Sequence, residues 1–117
     1  MGLDMYAYRK SNKEEAIEIA NWRKHNMLHG WMEKLYKTKG GTGKFNCEAV
    51  NIEKNDLIRL KHDIDNFNFE KTEGFFFGSS YTEEQYEEYY KQEDLNFIIS
   101  AHEALDNGEK VFYDSWW

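Results

Sequence analysis

Both ends of the chain have the residue pattern of a β-strand, and this feature most constrains the fold. In residues 2–9 the apolar side chains of Leu3, Met5 and Ala7 alternate with polar or polar-tipped ones, which is the two-residue period of a strand with one buried face. Residues 111–117 are rich in the aromatic and β-branched side chains that strands favour. Since chain ends commonly lie close together in small domains, we expect these two strands to pair in one antiparallel sheet.

Three stretches between the ends show the three- and four-residue spacing of amphipathic helices. They cover approximately residues 12–37, 54–67 and 83–107. Residues 48–52 suit either a short strand or an extended segment that leads into the second helix. The sequence therefore predicts an α+β fold, in which three helices pack on a small antiparallel sheet, and a single domain that covers residues 1–117.

Local signals at the helix ends agree with this assignment. Ser11 with Glu14, and Thr82 with Gln85, have the spacing of capping boxes, so we expect the first and third helices to begin there. Gly108 lies at the end of the third periodic stretch, where a glycine C-cap is common.

The chain has enough apolar residues for a core, but no internal disulfide. Aromatic residues make up 17% of the chain, with eight Phe, eight Tyr and four Trp, and Tyr and Trp combine a large ring with a polar atom. Cys47 is the only cysteine, which indicates a reducing compartment. The amino-terminal residues show neither a signal peptide nor a membrane span, so we expect a cytoplasmic protein with no membrane partner.

Acidic and basic residues are unevenly distributed along the chain. The formal net charge is −7. Residues 1–44 have 9 Lys and Arg against 5 Asp and Glu, whereas residues 45–117 have 6 against 17. This acidity disfavours direct nucleic-acid binding, because phosphate is repelled. It suits either a solvated surface or contact with a basic partner.

One group of residues suggests a pocket for a nucleotide-like anion. Lys24 falls near the apolar stripe of the first predicted helix, where its ammonium group needs either an acid from another helix or an anionic ligand. Residues 74–81, GFFFGSSY, place three rings between glycines, which fits either a buried strand or an aromatic wall. The predicted ligand-binding residues are Trp22, Arg23, Lys24, His29, Phe75, Phe76 and Phe77.

A second group suggests a surface for a protein partner. Acidic residues and tyrosines are interleaved near the start of the third predicted helix, where acids also favour the helix dipole. Carboxylates interleaved with rings imitate the backbone and bases of a nucleic acid, so the matching partner is a basic channel. Two tryptophans at the chain end are typical of an interface, so a structural role, as a homodimer or as a virion-associated component, is a third hypothesis. The predicted partner-binding residues are Glu83, Glu84, Tyr86, Glu87, Glu88, Tyr90, Trp116 and Trp117.

The sequence indicates no cofactor, no catalytic set and no metal-ligating set. His25 and His29 are four apart on the first predicted helix, so that both rings face one side, but no further ligand has a recognisable spacing. Residues 40–44, GGTGK, lack the leading glycine and the following Ser or Thr of a phosphate-binding loop. No spacing typical of a nucleophile, a histidine and an acid is present, so a binding protein is favoured over an enzyme.

Several short sequence words occur in a combination that resembles a family of small proteins carried by bacteriophages and prophages. The resemblance covers most of the chain. The words are MGLDMY at 1–6, ANWRK at 20–24, HGW at 29–31, NC at 46–47, GFFFGS at 74–79 and SW at 115–116. The resemblance brings no established activity, and therefore no catalytic residues.

The resemblance implies a phage accessory protein that is made in the cytoplasm of a bacterial host cell. Genes of this kind often encode inhibitors of host defence, such as anti-CRISPR proteins, and binders of signalling nucleotides. We therefore expect a non-enzymatic binding protein that inhibits a bacterial defence component through an acidic, Tyr-rich surface. The alternative is a binder or small enzyme for a nucleotide-like anionic ligand in the predicted pocket.

Overall fold

The computed structural model of the protein describes residues 3–69 and 81–116. The predicted aromatic wall at residues 75–77 and the terminal Trp117 lie outside the described residues. The strands are β1 (Asp4–Lys10), β2 (Ile17–Arg23), β3 (Val50–Ile52) and β4 (Lys110–Trp116). The helices are α1 (Asn26–Thr38), α2 (Lys54–Asp65), α3 (Glu83–Tyr89) and α4 (Lys91–Asp106). The predicted α+β fold is confirmed.

The sheet is antiparallel and has the strand order β2-β1-β4-β3. β1 pairs with β4 along its whole length, so that Ala7 lies opposite Tyr113, and the predicted pairing of the chain ends is confirmed. β2 pairs with the other side of β1, and the short β3 pairs with the other side of β4. The two ends of the chain therefore form the centre of the sheet.

One face of the sheet, the inner face, packs against the helices. Leu3, Met5 and Ala7 lie on this face and are fully buried, as is Tyr113 of β4. Their burial removes a continuous apolar surface from water, which is the main term that stabilises a fold of this size. The helices complete the core with Leu28 and Met32 of α1, Leu57 and Leu60 of α2, and Phe97 and Ala101 of α4.

The predicted first helix over residues 12–37 is wrong in its first half, which instead forms β2 after a connection of residues 11–16. Ile17 and Ile19 are β-branched residues that favour strands. The free edge of β1 offers hydrogen-bond partners to their backbone, and this pairing outweighs the helical spacing of the apolar side chains. Ser11 therefore begins no helix.

The predicted helix over residues 83–107 is divided in two at Tyr90, whose φ of −129° leaves the helical range. Its predicted capping box forms. The Gln85 backbone N–H donates to the Thr82 hydroxyl oxygen at 3.2 Å, and the Thr82 N–H donates to Gln85 Oε1 at 2.9 Å. These two bonds satisfy donors that a helix start leaves unpaired.

α4 ends at a glycine C-cap, as the sequence predicts. Gly108 has a φ of 79°, which lies in the left-handed region that side chains with a Cβ avoid. Its N–H donates to the Leu105 carbonyl at 3.0 Å, and the Glu109 N–H donates to the Ala104 carbonyl at 3.0 Å. This bond pattern is a Schellman motif, and it turns the chain from α4 into β4.

Replacing Gly108 by alanine tests this C-cap. Apart from Gly108 itself and its two chain neighbours, no described residue has an atom within 4 Å of a Cβ added there, so the cost arises from backbone conformation and not from a clash. We expect Gly108→Ala to lower the free energy of unfolding by about 1 kcal/mol, as measured by urea denaturation. Gly108→Asn, which tolerates the left-handed region better, is the control and should lose less; an equally stable alanine variant would contradict the assignment.

Candidate binding surface

A buried carboxylate on α4 gathers side chains from three other parts of the chain. Asp94 has no solvent exposure. Its Oδ1 accepts a hydrogen bond from Trp22 Nε1 at 2.9 Å, and its Oδ2 accepts from His25 Nε2 at 2.8 Å and from the Tyr86 hydroxyl at 2.6 Å. Trp22 and Tyr86, both predicted to meet a ligand or partner, are therefore interior residues that hold this carboxylate.

The ring of His25 continues the network away from Asp94. Its Nδ1 shares a hydrogen bond with the Tyr81 hydroxyl, whose oxygen also accepts from the Met27 N–H at 3.2 Å. One chain of donors satisfies all these contacts, from Met27 through Tyr81 to His25 and on to Asp94, when His25 carries its proton on Nε2. Tyr90, another predicted partner-binding residue, stacks on the His25 ring at 4.2 Å. Burial raises the pKa of Tyr81 and of Tyr86 well above the usual range.

His29 belongs to a different interior contact. The ring is fully buried, its Nδ1 lies 2.7 Å from the Tyr113 hydroxyl, and it stacks on Phe45 at 5.2 Å. Burial lowers the pKa of His29 to about 4, because the low-dielectric interior disfavours the charged ring. At neutral pH His29 therefore offers no positive charge to an anion, contrary to its predicted role.

The two basic residues of the predicted pocket lie elsewhere. Arg23 is exposed at the end of β2, with its Nε 3.8 Å from a carboxylate oxygen of Asp4. Lys24 is also exposed, in a turn where its φ is 57° and its N–H donates to the Leu3 carbonyl at 2.9 Å. The expected position of Lys24 near a helical core stripe is wrong, because this segment is the end of a strand. Of the described pocket residues, the ring residues Trp22 and His29 are inside and the cations are outside.

The described hydrogen bonds of His25 and His29 lie in different parts of the interior. His25 contacts Asp94, whereas His29 contacts Tyr113. Within residues 3–69 and 81–116, no group of three or more His, Cys, Asp and Glu side chains is placed to hold a metal ion.

A cavity of about 260 Å³ lies between α1 and α2. Trp31, Lys34 and Arg59 contribute to its walls, together with Asp63, whose Oδ2 accepts a hydrogen bond from the Trp31 indole at 2.8 Å. Its described lining includes none of the predicted ligand-binding residues. The arrangement of Trp31 and Asp63 is local packing between two helices.

The predicted acidic surface is accessible in part. Four carboxylates of α3 are exposed, and we name them the acidic ridge: Glu83, Glu84, Glu87 and Glu88. Glu87 lies 3.7 Å from Lys91 Nζ, whereas the other three make no ion pair with a described residue. The exposed ring beside the ridge is Tyr89, at 63% exposure, and not the predicted Tyr86 or Tyr90. A seven-residue helix exposes only some of its tyrosines, because the side that packs on α4 is buried.

The side of the sheet that faces away from the helices has one exposed ring and three half-buried rings. We name it the outer face, and its central residues are Asp4, Tyr6, Tyr8 and Lys10 of β1 with Lys110, Phe112, Asp114 and Trp116 of β4. Each is exposed or half-buried, so the described residues leave this face open to solvent. The residues of the outer face follow from strand alternation, because every residue between two buried ones points to the opposite side of the sheet.

The four rings of the outer face form one continuous row. Tyr6 lies 5.5 Å from Trp116 and 6.2 Å from Tyr8, and Tyr8 lies 5.3 Å from Phe112. Trp116 is 53% exposed and its indole N–H donates to Asp4 Oδ2 at 3.0 Å. This bond connects the Trp116 ring of β4 to β1.

Sequence reasoning identified Trp116 but missed Tyr6, Tyr8 and Phe112. The signal was present in the alternation of residues 2–9, which places Tyr6 and Tyr8 together on one face of the strand. This signal alone does not predict a patch, since the rings of β1 form one only when β4 pairs with β1 and places Phe112 and Trp116 beside them.

The chain matches no family model, no curated protein and no solved structure. Its resemblance to phage proteins stays a prediction. In the part of the chain that the structure describes, no helix has the length and apolar character needed to cross a bilayer.

The buried His29 ring predicts a specific loss of stability in acid. Its pKa is about 4 in the folded state and about 6.5 when unfolded, so the unfolded chain binds the proton first as the pH falls. The free energy of unfolding should therefore decrease between pH 6.5 and pH 4, by up to about 3 kcal/mol from this group.

A comparison with His29→Gln isolates this effect, because the two proteins share every other side chain. Urea denaturation at several pH values should give a curve that falls more steeply for the wild type than for the variant below pH 6.5. Parallel curves would show that His29 is not shielded from protonation.

Proposed function

We propose that the protein is a non-catalytic binding protein whose principal contact surface is the outer face of the sheet. One observation carries this proposal: Tyr6, Tyr8, Phe112 and Trp116 form a continuous row of rings that the described helices leave uncovered. Aromatic residues are enriched in the cores of protein interfaces, where Trp and Tyr contribute most of the binding energy. An open aromatic patch with charged residues at its ends has the composition of such an interface.

The arrangement of the interior supports binding rather than a reaction. His25, His29 and Asp94 are the buried groups best suited to moving protons, and each makes hydrogen bonds to other side chains of the fold. Their partners are structural rings, and Trp22, Tyr86 and Tyr113 are themselves buried. These groups account for the position of the helices on the sheet.

The acidic ridge supports a second part of the proposal, namely contact with a basic protein surface. Three of its four carboxylates have no ion-pair partner among the described residues, and the exposed Tyr89 ring adjoins them. Exposed acids accelerate association with a basic partner and make it sensitive to salt. A bacterial defence component with a basic nucleic-acid channel, as the phage resemblance implies, would fit this surface.

A truncation of Trp116 tests the outer face. Trp116→Ala should reduce the recovery of the bound partner by about 30-fold, which corresponds to a hot spot of about 2 kcal/mol. The immobilised protein is incubated with a bacterial lysate that also contains a differently tagged copy of the chain. The amount of each retained protein is then measured. Ile99→Ala is the matched control, because Ile99 is 66% exposed on α4 and lies outside the outer face. Equal recovery by both variants would reject the outer face as the contact surface.

Charge reversal tests the acidic ridge. Replacing Glu84, Glu87 and Glu88 by Lys should abolish retention of a basic partner, and retention by the wild type should weaken as salt is raised. The control replaces Glu14, Glu15 and Glu48 by Lys, which changes the net charge equally at exposed positions outside helices and strands. A loss in both variants would point to net charge alone, and unchanged retention in the ridge variant would remove the ridge from the proposal.

A further inference from the structure

The outer face differs in charge between its two ends along the strand direction, in addition to being aromatic. Its side chains on β1 and β4 form four rows, in which acids lie toward one end and bases at the other, and β2 extends two of these rows with Arg23 beside Asp4 and Glu18 beside Tyr8. The rows are Asp4 with Trp116, Tyr6 with Asp114, Tyr8 with Phe112, and Lys10 with Lys110. A surface with rings in the middle, acids at one end and bases at the other is complementary to itself when it is turned end for end.

The basic end of the face consists of two exposed lysines on neighbouring strands. Lys10 and Lys110 lie directly opposite each other, and like charges in such a position are destabilising. Lys10 Nζ donates to the backbone oxygens of Ser11 at 3.3 Å and of Glu14 at 3.0 Å. Lys110 makes no ion pair with a described residue. A partner that places acids or rings over this pair would lower the repulsion.

We propose that the partner bound at the outer face is a second copy of this chain, packed sheet to sheet in a two-fold dimer. The inference rests on the proposed function of the outer face and names its occupant. The two-fold axis lies between the sheets and runs across the strands, so that the order of the rows is reversed in the second copy. Asp4 then faces the partner's Lys10, Trp116 faces the partner's Lys110, and Tyr6 faces the partner's Tyr8.

The charges select this axis over the other aligned packing. A two-fold axis parallel to the strands keeps the order of the rows, and it places Lys10 over the partner's Lys110 and Lys110 over the partner's Lys10. Four ammonium groups then meet without an acid. The axis across the strands instead gives two Asp–Lys contacts and two contacts of a lysine with an indole ring, which are attractive.

The dimensions of the face suit a dimer that dissociates on dilution. Neighbouring strands lie about 4.8 Å apart and each residue extends a strand by about 3.3 Å, so a sheet of four seven-residue strands has a face of about 19 Å by 23 Å. This size is an upper limit, because β3 has only three residues. The plan area of about 440 Å² lies below the roughly 800 Å² that a standard stable interface buries on each partner. Stacked sheets lie about 10 Å apart, a space that Tyr, Phe and Trp side chains fill.

Sedimentation equilibrium of the purified full-length chain over a range of concentrations tests the dimer. We expect a monomer–dimer equilibrium that Asp4→Lys and Lys10→Asp each weaken at least tenfold, because each change makes two facing pairs repulsive. The double variant, Asp4→Lys with Lys10→Asp, should recover most of the affinity, since it restores both pairs with the charges exchanged. Lys110→Asp should also weaken the dimer. It is an independent variant, because it leaves the contacts of Asp4 with Trp116 and Arg23 in place.

Each other outcome overturns a defined part of the inference. A wild-type chain that sediments as a monomer throughout overturns the dimer. If Trp116→Ala still loses a lysate protein while the pure chain is monomeric, the outer face binds a different protein and the proposed function survives. A dimer with unchanged affinity in Asp4→Lys, Lys10→Asp and Lys110→Asp uses another surface, which also rejects the inference.

Discussion

The buried carboxylate of Asp94 is the interaction on which the rest of the structure depends. A carboxyl group without solvent is tolerated only where hydrogen-bond partners surround it, and here the partners come from β2, from the residue before α1 and from α3. One side chain on α4 thus contacts three other parts of the fold. Because Trp22 and His25 lie on either side of the turn at Lys24, the same side chain also holds the end of β2 beside the start of α1.

This requirement divides the aromatic residues into two populations. Rings with a polar atom that can reach a buried partner, such as Trp22 and Tyr86, lie inside and stabilise the interior. Rings on the opposite side of β1 are covered by none of the helices that the structure describes, and they form the outer face. The abundance of Tyr and Trp therefore reflects two separate demands, one from the hydrogen bonds of the core and one from an open sheet surface.

The start of α3, the end of α4 and the central strands were predictable because their signals are local. The capping box at Thr82, the C-cap at Gly108 and the alternation in residues 2–9 each involve residues within a few positions of one another. The assignment of residues 17–23 to a helix failed, because apolar spacing there was compatible with both periods and the edge of β1 decided between them. Among the candidate surface residues, Trp116 was predicted from its position at the chain end, whereas Tyr6, Tyr8 and Phe112 were not.

The sequence by itself determined the fold class, the pairing of the chain ends, the accessible acids of α3 and the face on which each residue of β1 lies. Only the tertiary structure decided that Trp22 and His29 are interior residues and that Arg23 lies outside. The reason is the distance along the chain between the interacting groups: Asp94 is 72 residues from Trp22, and Tyr113 is 84 residues from His29. A ring with a polar atom can bind a ligand or a buried carboxylate equally well. Which of the two it contacts depends on a residue that is far away in the sequence and lies beside it only in the folded chain.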